Sequence, residues 1–139
     1  MIKRKTEVRV RYADTDKMQF VYNGKYFEYF EVGRTELLRS LGLPYKEIEE
    51  KGYQLPLLEA GIKYKNAGKY DDVLEIEAIV SELPKPVIHI DYIIRRNGTD
   101  EIVAEGFTKH IFMNLENKKA VRPPKFYLDI ISPFFQTAK

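Results

Sequence analysis

A chain of 139 residues that is 44% hydrophobic and 32% charged is globular in composition and sized for a single domain over 1–139, which excludes a disordered chain. Twenty-three Lys and Arg against 21 Asp and Glu leave a net charge of +2, too little to draw the whole molecule to nucleic acid or an anionic membrane. With no cysteine there is no disulfide, thiolate nucleophile or cysteine zinc site, and with no apolar run longer than three residues there is neither a membrane span nor a signal-peptide core, so a soluble, cytoplasmic protein is expected.

Thr6–Tyr12 alternates, with Val8, Val10 and Tyr12 on one face and Glu7, Arg9 and Arg11 on the other, and predicts a half-buried strand. Asp14, Thr15 and Asp16 break that pattern within Ala13–Gln19. From Gly24 the period lengthens. Tyr26, Phe30, Gly33, Leu37 and Leu41 recur at steps of three or four, with Phe27 and Leu38 alongside, and predict a long helix with one apolar stripe. Asn23 suits the N-cap, and Gly42 followed by Pro44 is a stop signal. A glycine in mid-helix costs about 1 kcal/mol against alanine, so Gly33 marks a place where the helix lies close against something flat. Glu31 and Arg34, three apart beside the apolar arc, can pair and form a candidate site or interface element. The same placement suits an arginine stem running past the core to water.

Pro44–Lys51 predicts a short second helix, followed by four strand-like segments, Tyr53–Tyr64, Val73–Leu83, Val87–Arg96 and Glu101–Met113. Asn66-Ala67-Gly68 with Asp71-Asp72, then Pro84-Lys85-Pro86, then Asn97-Gly98 supply the turns, the last a strong hairpin signal. Ala104, Gly106 and Thr108 make a small-residue face on which the helix at Gly33 could nestle. Arg122-Pro123-Pro124 ends the sheet and Lys125–Ile131 is a terminal turn of helix. Phe126, Tyr127, Ile130, Ile131, Phe134 and Phe135 are too apolar to lie loose in water and should meet a partner or the body of the domain. A strand, a long helix and four antiparallel strands make an α+β domain.

Absences narrow the chemistry. Ser40, Ser81 and Ser132 lie in no Gly-x-Ser-x-Gly elbow, and no glycine-rich phosphate loop occurs. Asp14-Thr15-Asp16 opens like a calcium loop, but Met18 and Gln19 stand where an oxygen ligand and a glycine are required. His89 and His110 fall on separate strands without a ligand partner and read as a surface histidine and a satisfied one, so no metal or cofactor is expected. Carboxylates remain. Asp16 stands seven residues before Asn23, at the approach to a helix start with free amides and a partial positive charge. Such amides can hold the oxyanion of an attacked carbonyl while the carboxylate acts as general base or nucleophile. An Asx-turn built by Asp14 and Asp16 fits the same spacing.

Arg11-Tyr12-Ala13-Asp14-Thr15-Asp16, Val21-Tyr22-Asn23-Gly24-Lys25-Tyr26, Phe30-Glu31 and Arg34 resemble the opening of 4-hydroxybenzoyl-CoA thioesterase-type proteins, which are hotdog-fold acyl-CoA thioesterases. Tyr70-Asp71-Asp72-Val73-Leu74 matches a second signature of that family, and the resemblance covers about residues 6–131. It implies a hotdog fold, in which a five-stranded antiparallel sheet wraps a long central helix. It also implies a dimer whose sheets join edge to edge, often doubled into a tetramer, with active sites at the subunit interface. The substrate implied is an acyl-CoA. The family's catalytic aspartate falls on Asp16, and its carbonyl-holding backbone amides fall on Asn23 and Gly24, with Tyr22, Glu31 and Arg34 as candidate support. Water activated by Asp16, or an acyl-Asp16 anhydride, would cleave the thioester. Many relatives carry small residues where Lys17, Met18 and Gln19 stand, and many carry His at the place of Asn23, whose amide cannot shuttle a proton. Met18, Phe20 and Tyr22 are candidate acyl-pocket walls. Arg95, Arg96 and Lys109, with Lys63 and Lys65, are candidates for the CoA phosphates. The alternative is a non-catalytic module that binds acyl-CoA or acyl carrier protein. A hotdog dehydratase would need a histidine early in the helix region, and no nucleic-acid partner is expected.

Overall fold

The computed structural model describes residues 1–135. In chain order they form β1 (Ile2–Arg9), a 3-10 turn (Tyr12–Asp14), α1 (Lys25–Ser40), α2 (Tyr45–Glu50), β2 (Tyr53–Gln54), β3 (Leu57–Tyr64), β4 (Val73–Val80), β5 (Ile88–Arg96), β6 (Ile102–His110), β7 (Phe112–Asn114), β8 (Ala120–Val121) and α3 (Lys125–Ile131). Five strands build one antiparallel sheet in the order β1-β4-β5-β6-β3, and α1 lies against its inner face. This is the hotdog arrangement.

Alternation sets the two faces of the sheet. Ile88, Ile90, Tyr92 and Ile94 of β5 point inward beside Leu74, Ile76 and Ala78 of β4, and all are buried. The helix brings Tyr26, Phe30, Gly33 and Leu37 down onto them. Phe30 stacks on Tyr92 with ring centroids 4.4 Å apart. Burying each such ring contributes about 1.5–3 kcal/mol. Gly33 faces Ile76, Ala78 and Tyr92, and a Cβ there would come within 2.8 Å of the Ile76 methyl. The close approach expected at Gly33 is therefore present, but against β4 and β5. The small-residue face of β6 takes a different partner, since Gly106 lies under the Phe30 ring.

The helix ends are chemically distinct. At the C-terminus Gly42 adopts φ +77°, Gly42 N–H donates to the Arg39 carbonyl and Leu43 N–H to the Leu38 carbonyl, a Schellman closure. At the N-terminus Gly24, and not Asn23, is the cap residue, and no side chain closes the first turn.

Several boundaries differ from the sequence reading. β1 begins at Ile2 and ends at Arg9, because Val10 exchanges backbone bonds with Asp71 and Asp72 before the chain enters its 3-10 turn. Tyr12 consequently turns outward, 68% exposed, and packs edge-on against Tyr70. The segment 53–64 is broken at Pro56 into β2 and β3, and β2 joins β7 and β8 in a separate three-stranded sheet. The apolar C-terminal segment meets the body of its own chain, with Tyr127 and Ile131 buried and Phe126 against Tyr53 and Phe112. No helix among the described residues is long and apolar enough to cross a membrane.

Candidate active site

The irregular segment between β1 and α1 is held by its two aspartates in different ways. Asp14 is 2% exposed and accepts hydrogen bonds from the Arg11 amide (3.1 Å), the Arg11 guanidinium (3.0 Å) and the Tyr29 hydroxyl (2.9 Å). Lys25 Nζ stands 3.5 Å away. Burial alone would raise the Asp14 pKa, but these donors outweigh it and hold the carboxyl below its usual range. Asp14 thus ties the turn to α1, a role its spacing gave no means of separating from that of Asp16.

Asp16 is exposed. Its Oδ1 accepts from the Met18 amide at 2.9 Å and the Phe20 amide at 3.2 Å, which closes the 16–20 loop and realises the Asx-type reading. Its Oδ2 accepts nothing from the described residues. Gln19, at φ +66°, makes the turn that returns the chain. The loop is then fastened across to the β3–β4 connection, with Val21 N–H donating to the Gly68 carbonyl and Tyr70 N–H to the Gln19 carbonyl.

Asp16 lines an open cleft of about 330 Å³ together with Phe20, Asn23, Tyr26, Tyr64 and Lys65. The amides of Asn23 and Gly24 donate no hydrogen bond among the described residues, whereas the next amide, of Lys25, donates to the Tyr22 carbonyl. Tyr64 braces this corner by donating its hydroxyl to the Asn23 carbonyl at 3.0 Å, and its ring meets Tyr26 edge-on at 5.5 Å. Tyr26 in turn accepts the Gly68 amide at 3.1 Å. A carboxylate oxygen without a partner therefore shares a cleft with the start of a helix whose leading amides are unengaged.

Other candidates are placed elsewhere. Met18 and Tyr22 are 73% and 63% exposed, and of the three expected wall residues only Phe20 lines the cleft. Glu31 and Arg34 do not pair; both face a separate cavity farther along α1. Arg95 pairs with Glu75 and Glu77, Lys109 with Glu59, and Lys63 lies on the outer face of the sheet. Arg96 binds Asp72, Glu101 and the Ala67 carbonyl, so it fastens the β3–β4 connection to the β5–β6 hairpin. Asp72 of the Tyr-Asp-Asp block also accepts the Lys69 amide at 3.0 Å, which gives that signature a structural task in shaping the cleft wall. Tyr64 was missed as a cleft residue, and Lys65 was named only as one of several candidates for the CoA phosphates. Only the antiparallel return of β3 brings them to the helix start, and no local spacing records that. His89 is at the surface beside Asp91, and His110 is buried with both ring nitrogens engaged.

Residues 10–131 match the family model of the thioesterase-like superfamily. The chain belongs to that superfamily. It is 34% identical over 119 residues to the acyl-CoA thioesterase YbgC of Haemophilus influenzae, covering 85% of this chain and 86% of that one. Among solved structures, the DHNA-CoA thioesterase of Staphylococcus aureus superposes with a TM-score of 0.88 at 27% identity, over 97% of this chain and 90% of the other. A hypothetical protein of Thermus thermophilus, TT1821, superposes with a TM-score of 0.86 at 31% identity, over 93% and 97%.

Proposed function

We propose that the protein is an acyl-CoA thioester hydrolase whose reaction takes place in the Asp16 cleft. The observation that supports this reading is that Asp16, with its unengaged Oδ2, lines one cleft with Asn23, whose amide, like that of the adjoining Gly24, is unengaged. The thioester oxygen accepts from those amides, which polarises the carbonyl and stabilises the oxyanion. Asp16 takes a proton from water as the water oxygen attacks the carbonyl carbon. The C–S bond then breaks, the acid departs, and the proton passes to the CoA sulfur. In the covalent variant the Asp16 carboxylate attacks the carbonyl carbon, and the C–S bond breaks to expel CoA thiolate. Water hydrolyses the resulting anhydride to the free acid and protonated Asp16, whose proton passes to the thiolate. Both routes use the same corner.

Lys65, which lines the cleft with 47% of its side chain exposed and pairs with Glu105 at 3.6 Å, is the candidate cation that the cleft itself contains for a CoA phosphate. Two chains would complete the site. In support, β3 is an edge strand whose Leu57 and Leu58 are more than half exposed, an arrangement that natural sheets ordinarily cover. Half-buried Ile79, Ile93 and Phe107 on the outer face of the sheet support pairing of dimers into a tetramer. The same reading expects a cytoplasmic enzyme.

One feature favours the non-catalytic alternative. The Asp16 Oδ1 that closes the loop would be needed for that task in a pure binding module as well. Release of free thiol from a panel of short-chain, medium-chain and aromatic acyl-CoAs separates the two readings. Turnover with at least one acyl group is expected. Saturable binding of acyl-CoA by calorimetry with no thiol released would establish the module instead.

A further inference from the structure

A second cavity, of about 400 Å³, opens under the C-terminal half of α1, and it shares no residue with the Asp16 cleft. Leu37 and Leu38 of α1, Ile88 and Ile90 of β5 and Leu55 give it apolar walls. Its volume lies within the range of small-molecule sites. Two polar groups in it lack the partners that such groups normally have. Arg34, half-buried, forms no ion pair among the described residues although the chain offers many carboxylates, and its side chain reaches the Tyr92 hydroxyl instead. Tyr127 of α3 is only 3% exposed, yet its hydroxyl makes no hydrogen bond there, unlike those of Tyr26, Tyr29, Tyr45, Tyr64 and Tyr92. No fully enclosed polar side-chain atom among the described residues is unpaired, so the Tyr127 hydroxyl is not sealed off, and Tyr127 lines this cavity.

His110, on the same wall, is already satisfied. His110 Nδ1 faces the Leu55 carbonyl at 3.2 Å, and a carbonyl only accepts, so the proton is on Nδ1. Nε2 then accepts the Thr108 hydroxyl at 2.9 Å, and Thr108 Oγ1 accepts the Tyr92 hydroxyl at 2.7 Å. Every donor in that chain is used. What the cavity leaves open is the Arg34 guanidinium, which has no carboxylate partner among the described residues and touches the Tyr92 hydroxyl, with the Tyr127 and Thr35 hydroxyls, above a greasy floor. A purely apolar occupant would strand the Tyr127 hydroxyl, and a cation would meet Arg34.

We propose that this cavity binds a small amphipathic carboxylate, its apolar body among the leucines and isoleucines and its anionic end held by Arg34 and the Tyr127 hydroxyl. Glu31, exposed at the rim one turn from Arg34, is the group that opposes an anion there and sets the affinity below what Arg34 alone would give. The site stands apart from the thioesterase reading, and neither depends on the other.

Isothermal titration of the full chain with sodium octanoate tests it, with 1-octanol as the uncharged control. One octanoate per chain is expected, with octanol at least about tenfold weaker. Arg34→Gln should weaken octanoate by about 10–100-fold, as loss of a charge-assisted bond does. Tyr127→Phe, which keeps the buried ring and so preserves the fold should Arg34→Gln disturb it, should cost about 2–10-fold. Glu31→Gln should tighten binding, and Asp16→Asn should leave it unchanged. Absence of saturable binding at millimolar octanoate, equal affinity for octanol, or indifference to both Arg34→Gln and Tyr127→Phe would overturn the proposal. Loss of binding in Asp16→Asn alone would put the acid in the other cleft and overturn it equally.

Discussion

Asp14 and Asp16 sit two residues apart and serve opposite ends. The first is sealed under Tyr29 and Lys25 with its oxygens fully used; the second keeps one oxygen open to a cleft. His110 shows how far burial can move a single group. Its pKa is pushed down to about 4, first by desolvation and then by the nearby Arg34 charge, against a partial rescue from the Leu55 carbonyl. In the unfolded chain the ring titrates near 6.5. Between those values the unfolded state holds the extra proton, so His110's contribution is intact above about pH 6.5 and is lost as pH falls toward 4. Denaturant melts across that range should show stability rising with pH by up to roughly 3 kcal/mol, and His110→Asn should flatten the rise. An unchanged slope in the variant would assign the pH dependence elsewhere. The roles of these residues were only partly legible in the sequence. Asp-x-Asp before a helix marked the place, but which aspartate is buried depends on Tyr29, fifteen positions away, turning its hydroxyl back onto the loop.

At the scale of elements, the contact between α1 and the sheet is decided by glycines. A Cβ at Gly33 would press on the Ile76 methyl at 2.8 Å, a side chain that can move; a Cβ at Gly106 would run into the Gly61 backbone carbonyl and the Phe30 ring, which cannot easily give. Gly106→Ala should therefore destabilise by about 3 kcal/mol or more, and Gly33→Ala by about 1–2 kcal/mol. Comparable melting midpoints for the two variants would contradict this packing. Period and punctuation were enough to read α1, its glycine stop, α2, the strands of the main sheet and α3. They fell short for β2, β7 and β8, two- and three-residue strands, the first of which finds its partner β7 some 60 positions away in the chain. So short a segment carries no period, and its pairing is fixed only once the larger sheet has formed.

Among the described residues no strand covers the β3 edge, and the cleft corner between Asn23 and Tyr64 lies at one end of that strand. Edge-to-edge pairing through β3 would cover Leu57 and Leu58 and bring a second chain toward each cleft. Leu58→Lys should then shift sedimentation at micromolar concentration from dimer or larger to monomer and lower turnover with it. A variant that sediments like the parent would place the interface elsewhere. The chemistry proposed for the cleft puts the Asp16 carboxylate to work at a carbonyl held by the start of α1. Steady-state hydrolysis of the best acyl-CoA by Asp16→Asn, with its thermal midpoint measured alongside, decides whether it does. Asparagine can still accept the Met18 and Phe20 amides through its carbonyl oxygen, so the loop should survive while kcat falls by about 10²–10⁴. Parent-like kcat in a folded Asp16→Asn protein would contradict it.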